Sequence, residues 1–257
     1  MPHLPAPRAF RAPRLTPVIA GDRLALGARS SSLHFRAAMF DGGMDPVRSV
    51  DHMVLSEPTA HPRVHTGVSA VTALFEDSQG ALLNRDSLGN QFALEAGGVY
   101  LLAAARGAVH EMAPAEGARV HALHLLVDLH PPLRREPARA WRRAAADVPV
   151  IEDQGARIRF VLGRSDGSVG GMESPDGLLM LDGVLDSGAH YAHELPEGRQ
   201  AWVYAVSGEG TLHASGESAA LTGGQALCVS AGTRASLAFA ARSSLHFVLV
   251  AGSPVGL

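Results

Sequence analysis

Val71-Thr-Ala-Leu-Phe75, a glycine turn at Gly80, then Glu95-Ala-Gly-Gly-Val-Tyr-Leu-Leu102: this order of short apolar runs broken by glycines decides the fold. About 130 residues later it returns as Val203-Tyr-Ala-Val206, Gly210 and Leu221-Thr-Gly-Gly-Gln-Ala-Leu-Cys228, so one β unit is written twice. Around both copies, turn signals such as Asp77-Ser-Gln-Gly80, Asp86-Ser-Leu-Gly-Asn90 and Ser207-Gly-Glu-Gly210 arrive roughly every ten residues, the spacing of a sandwich or barrel. Helical signal is scarce. The best stretch is Glu136 to Asp147, EPARAWRRAAAD, rich in Ala and Arg and followed by Val148-Pro149, and it predicts a short helix between the copies.

At 257 residues and 46% hydrophobic, the chain has material for two cores of roughly 100 to 130 residues each. Its 22 basic residues, all arginine, stand against 25 acidic ones, so no excess positive charge is available to neutralise phosphates, and direct nucleic-acid binding is not expected. The single cysteine, Cys228, cannot form an internal disulfide and reads as a buried strand residue, not a nucleophile, in a reducing, cytoplasmic setting. Residues 1–18 carry prolines at 2, 5, 7, 13 and 17 and lack the apolar core of a signal peptide, so an extended arm is expected. No run approaches the ~20 apolar residues that span a bilayer.

Five motifs in order resemble the pirin family of the cupin superfamily, from about residue 45 to residue 255. Asp45-Pro46-Val-Arg-Ser-Val-Asp51-His52 is similar to the family's Asp-Pro-x4-Asp-His segment, and Arg85-Asp86-Ser-Leu-Gly-Asn90 to its Arg-Asp-Ser-Leu-Gly-Asn hairpin. Arg106-Gly107-Ala-Val-His110 resembles its Arg-Gly-Ile-Val-His, Leu123-His-Leu-Leu-Val-Asp-Leu129 its Leu-Gln-Leu-Trp-Val-Asn-Leu, and His246 to Pro254 its closing strand. The resemblance implies an all-β fold of two tandem cupin domains, antiparallel barrels of jelly-roll type. The expected layout is an arm over 1–18, a first barrel over 19–135, a helical connector over 136–149 and a second barrel over 150–257.

The family holds iron or a similar divalent metal in its first barrel with three His and one Glu, from a His-Pro-His-Arg-Gly and a Val-His-x-Glu segment. Aligned on Gly67, this chain keeps His65 but has Arg63 where the first histidine belongs; in the second segment His110 is kept and Met112 replaces the glutamate. An arginine brings fixed positive charge toward a dication, and a thioether suits copper better than ferrous iron. The expectation is therefore no metal, or a weakly bound divalent one, unless His61, Glu111 or His124 substitutes for the lost ligands. His61 shares a strand face with Arg63 and His65, Glu111 faces away from His110 unless a bulge turns it, and His124 stands in the strand that resembles Leu-Gln-Leu-Trp. His190 and His193 resemble a first cupin motif, but the matching late position near Ser236 offers no ligand, so the second barrel reads as structural.

Two functional classes follow. The first is a catalytically silent bicupin with a regulatory role, binding a small aromatic or anionic ligand, with Arg63 pairing a carboxylate or phenolate, or binding a protein partner. The second, implied by the resemblance, is a quercetin-type dioxygenase using substitute ligands, which adds oxygen across a deprotonated flavonol and releases carbon monoxide.

Overall fold

The structure, a computed structural model, describes residues 10–41, 43–58, 62–164 and 170–255. Glycine turns cut the chain into strands short enough to fold back on their neighbours. In the first half β1 is Ile19–Ala20, β2 Asp22–Ala25, β3 Ser31–Arg36, β4 Val47–Leu55, β5 Arg63–His65, β6 Val68–Leu74, β7 Ala81–Asp86, β8 Gln91–Glu95, β9 Val99–Ala103, β10 Ala108–Pro114 and β11 Val120–Asp128. In the second, β12 is Arg139–Arg143, β13 Val150–Asp153, β14 Ala156–Leu162, β15 Leu179–Leu185, β16 His190–Leu195, β17 Gln200–Ser207, β18 Glu209–Ala214, β19 Glu217–Thr222, β20 Gln225–Val229, β21 Ala235–Ala241 and β22 Leu245–Gly252.

The duplication is complete at the level of topology. One seven-stranded sheet runs β12-β9-β6-β11-β4-β3-β2 and the other β1-β20-β17-β22-β15-β14-β13; the two small sheets run β5-β10-β7-β8 and β16-β21-β18-β19. Each order becomes its counterpart when every strand is advanced to its partner in the repeat, and all pairings are antiparallel. The paired glycines occupy matching turns, Gly97-Gly98 between β8 and β9 and Gly223-Gly224 between β19 and β20. Gly97 and Gly224 have φ of +74° and +87°, backbone that a side chain would strain.

One strand of each seven-stranded sheet is exchanged between the halves. β1 precedes the first barrel but pairs with β20 of the second, and β12 precedes the second barrel but pairs with β9 of the first, Trp141 lying opposite Leu101. This corrects the connector helix. Residues 136–149 form β12 and a short 3-10 turn at Ala145–Asp147, with another 3-10 turn just before them at Leu133–Arg135, and among the described residues there is no α-helix. Helix propensity is a weak prior, and here the unpaired edge of β9 outweighs it. The arm from residue 10 is likewise tied down: Thr16 N–H donates to Cys228 O and Cys228 N–H to Thr16 Oγ1, both at 2.9 Å.

Alternation along each strand sends side chains to two cores. The large sheets face each other across one cluster that includes Phe35, Val71, Leu101, Leu125, Trp202, Tyr204, Val248 and Val250. Their other faces meet the small sheets and close the two barrel interiors. No helix among the described residues is long and apolar enough to cross a membrane.

A candidate metal centre in the first barrel

β5, β10 and β11 each aim one histidine into the first barrel. In the β5–β10 pairing His65 lies opposite Ala108 and Arg63 opposite His110, which puts His65 and His110 on one face of the small sheet. β11 approaches from the large sheet, where His124 is paired with Thr72 of β6. The three imidazoles are 8%, 1% and 1% exposed, and one ligand nitrogen from each lies within 4.8 Å of the others. His65 Nε2 and His110 Nε2 are 3.0 Å apart, and the His110 and His124 rings stack with centroids 5.5 Å apart.

Burial keeps these rings neutral. It is the largest cause at each, lowering His65, bringing His110 down to about 4 and holding His124 well below the usual imidazole range. The neighbouring histidines and the Arg63 charge push the same way at His110 and His124, and Asp86 partly offsets them at His110. His110 Nδ1 and His124 Nε2 are buried without a hydrogen-bond partner. Uncharged imidazoles with unpartnered nitrogens suit a divalent first-row metal, and nitrogens that share one ion at about 2.0–2.1 Å stand about 3 Å apart, as His65 and His110 do. The donor set fits the group. Among the described residues it is the one such cluster of three or more candidate ligands.

The other candidates fall elsewhere. Met112 is on the inward face but its sulfur accepts a hydrogen bond from Thr72 Oγ1 at 3.2 Å. Arg63 is exposed at the rim. Glu111 stays on the outer face of a β10 that runs without a bulge, opposite Arg85, in a groove with Leu83 and Phe92. His61 lies outside the described residues. Asp86, read as a turn residue, anchors the hairpin: it accepts from the backbone N–H of Leu88 and Asn90, from Asn90 Nδ2 and from the Tyr100 hydroxyl. Burial pushes its pKa up, but these hydrogen bonds outweigh it and bring the carboxyl below its usual range. Thr72 carried no signal, since a threonine in an apolar run says only β-strand.

Among the described residues the second barrel holds no cluster of three or more candidate ligands. His193 on β16 is 3% exposed and lies opposite Leu237 of β21, and the core of this barrel includes Leu212, Phe239, Phe247 and Leu249. Cys228 is fully buried, and burial pushes its thiol up.

Residues 28–127 match the pirin family model. A pirin-like protein of Solanum lycopersicum is 29% identical over 173 residues, 67% of this chain; the chain spans 58% of that relative's own length. In fold, the chain is similar to a quercetin 2,3-dioxygenase from Acinetobacter baumannii (TM-score 0.79, 20% identity, 96% of this chain and 88% of the other). It is also similar to the bacterial pirin YhhW of Escherichia coli in complex with nickel(II) (TM-score 0.68, 18% identity, 95% and 100%). The chain thus carries a pirin family domain over residues 28–127, and its duplicated fold as a whole is similar to that of a bacterial pirin and a quercetin 2,3-dioxygenase.

Proposed function

We propose that the first barrel holds one divalent metal ion through His65, His110 and His124 and uses it to bind a small ligand through a deprotonated oxygen, a flavonol-like enolate or phenolate, for quercetin-type dioxygenation. The observation that carries this reading is the convergence of three buried, neutral histidines from three strands, which replaces a two-ligand remnant by a three-ligand set. When bound, the ion supplies Lewis-acid stabilisation of the ligand oxyanion. The chain's own residues do the rest. Burial keeps all three lone pairs unprotonated at neutral pH, the apolar walls at Leu102, Ala122 and Met53 exclude water, and Arg63 at the rim adds positive charge that draws an anion inward. Among the described residues no carboxylate joins the three nitrogens, so the full charge of a dication would face the ligand.

A second reading is binding without turnover, a regulatory role in the cytoplasm toward a small ligand or a protein partner. Met112 favours it, because a thioether stands where the family has its acidic ligand. One experiment separates the two: elemental analysis of protein purified without chelator, then oxygen uptake with quercetin before and after loading with ferrous iron or nickel(II). One equivalent of metal with uptake supports dioxygenation, and metal with quercetin binding but no uptake supports the second reading. A protein that takes up no metal under either condition contradicts both forms of the metal centre.

A further inference from the structure

Thr72 and Met112, the latter packed against the first barrel's core, make a polar contact that is not part of the ligand set. Thr72 lies on β6, 1% exposed, directly opposite His124 on β11. Its Oγ1 is 3.2 Å from Met112 Sδ and 3.1 Å from His124 Nδ1. A thioether sulfur has no proton to give, so the hydroxyl is the donor in that contact. A hydroxyl has one proton. Its remaining lone pairs face His124 Nδ1, and that contact is a hydrogen bond only if Nδ1 carries the hydrogen. In the neutral ring Nε2 is then a bare lone pair, and Nε2 is the atom of this ring without a partner. The opposite arrangement gives up the sulfur contact and leaves Nε2–H as a buried donor with no acceptor, the less tolerated kind of orphan.

We propose that Thr72, held by Met112, is a positioning residue that fixes His124 in the tautomer whose Nε2 is free to bind the metal; the metal part rests on the three-histidine reading. Histidines that bind metals characteristically have the other ring nitrogen tied to a partner, and removing such a partner costs about 10- to 100-fold in affinity. Met112 is then not a vestige of a lost ligand. The side chain that replaces the family's glutamate orients the hydroxyl that orients His124.

The test uses the full chain with nickel(II) as probe, comparing wild type with Thr72→Val, Thr72→Ser and Met112→Leu. In metal-free protein labelled with 15N-histidine, long-range 1H–15N spectra at neutral pH should show His124 protonated at Nδ1 in wild type and Thr72→Ser. Thr72→Val and Met112→Leu should populate the Nε2–H form, Met112→Leu because the freed hydroxyl can turn and donate to Nδ1. Competition with a chromophoric chelator should show nickel affinity roughly 10- to 100-fold weaker in Thr72→Val, and restored in Thr72→Ser. Met112→Leu keeps the threonine and serves if Thr72→Val fails to fold. An Nε2–H tautomer of His124 in wild type, or folded Thr72→Val or Met112→Leu with unchanged tautomer and nickel affinity, overturns the proposal. If wild type binds no nickel, the metal reading fails, while the tautomer in metal-free protein still decides the positioning role.

Discussion

The same two strands of the repeat meet in both barrels, with different chemistry. In the first, β10 and β11 bring His110 and His124 face to face with ring centroids 5.5 Å apart; in the second, β21 and β22 do the same with Phe239 and Phe247 at 4.1 Å. Beside the histidines stands Thr72, while the β17–β22 pairing offers Val203 opposite Leu249 and Ala205 opposite Phe247. Sheet orders, turns and exchanged edge strands are alike in both halves. Topology therefore depends on the alternation of strands and the placement of turns, while function depends on a few inward positions that the fold leaves open to either an apolar or a polar filling.

The largest expected effect of breaking this comparison is on stability. Phe239→Ala removes a ring that is 2% exposed and should cost about 3–5 kcal/mol in denaturant unfolding. His110→Ala in the metal-free protein should cost clearly less, since it also removes a buried nitrogen without a partner. Equal losses would mean that the first barrel's interior is packed as tightly as the second's.

Acid should sharpen the contrast next. His52 on β4 is half-buried at the barrel interface, its Nδ1 2.5 Å from the Tyr204 hydroxyl and its Nε2 2.6 Å from His121 Nε2, and His121 Nδ1 is 2.7 Å from Asp77 Oδ1. Burial chiefly, then the charges of His121 and His246, bring His52 down to about 3, with Asp77 partly opposing; burial also lowers His121. These groups and the three site histidines take up protons in the unfolded chain near pH 6.5 but not in the folded one, so stability is full above 6.5 and falls as pH drops toward 4. His110, whose window is set by its value of about 4, contributes roughly 1.4 kcal/mol per pH unit within it. Hydrogen exchange of metal-free protein at pH 5 should show β4, β10 and β11 losing protection before β16, β21 and β22; uniform loss would count against the assignment.

The smallest expected effect concerns the exchanged strands. Thr16→Val removes the hydroxyl that accepts from Cys228 N–H and should cost about 1 kcal/mol, without touching metal binding. A change in metal affinity would mean that the arm reaches the first barrel's site.

Much of this was legible in the sequence. The paired glycines at 97–98 and 223–224 gave the duplication because only glycine readily takes the positive φ of those turns. The motifs singled out His65 and His110 as candidate ligands, and the fold sets their Nε2 atoms 3.0 Å apart. His124 was one of three substitutes that strand alternation could not rank, because what brings it beside the other two histidines is its pairing with β6, a contact 52 positions away in sequence. Thr72 was invisible for the same reason. The exchange of β12 was missed because Arg139 to Arg143 reads as helix locally, and the edge of β9 that recruits it is not local.

The most direct measurement is anomalous diffraction from a crystal of the nickel(II)-loaded protein. One peak inside the first barrel, about 2.0–2.2 Å from a nitrogen of each of His65, His110 and His124, with none in the second barrel, is the expected result. A peak that His124 does not touch, or nickel only on the surface, would contradict the three-histidine centre.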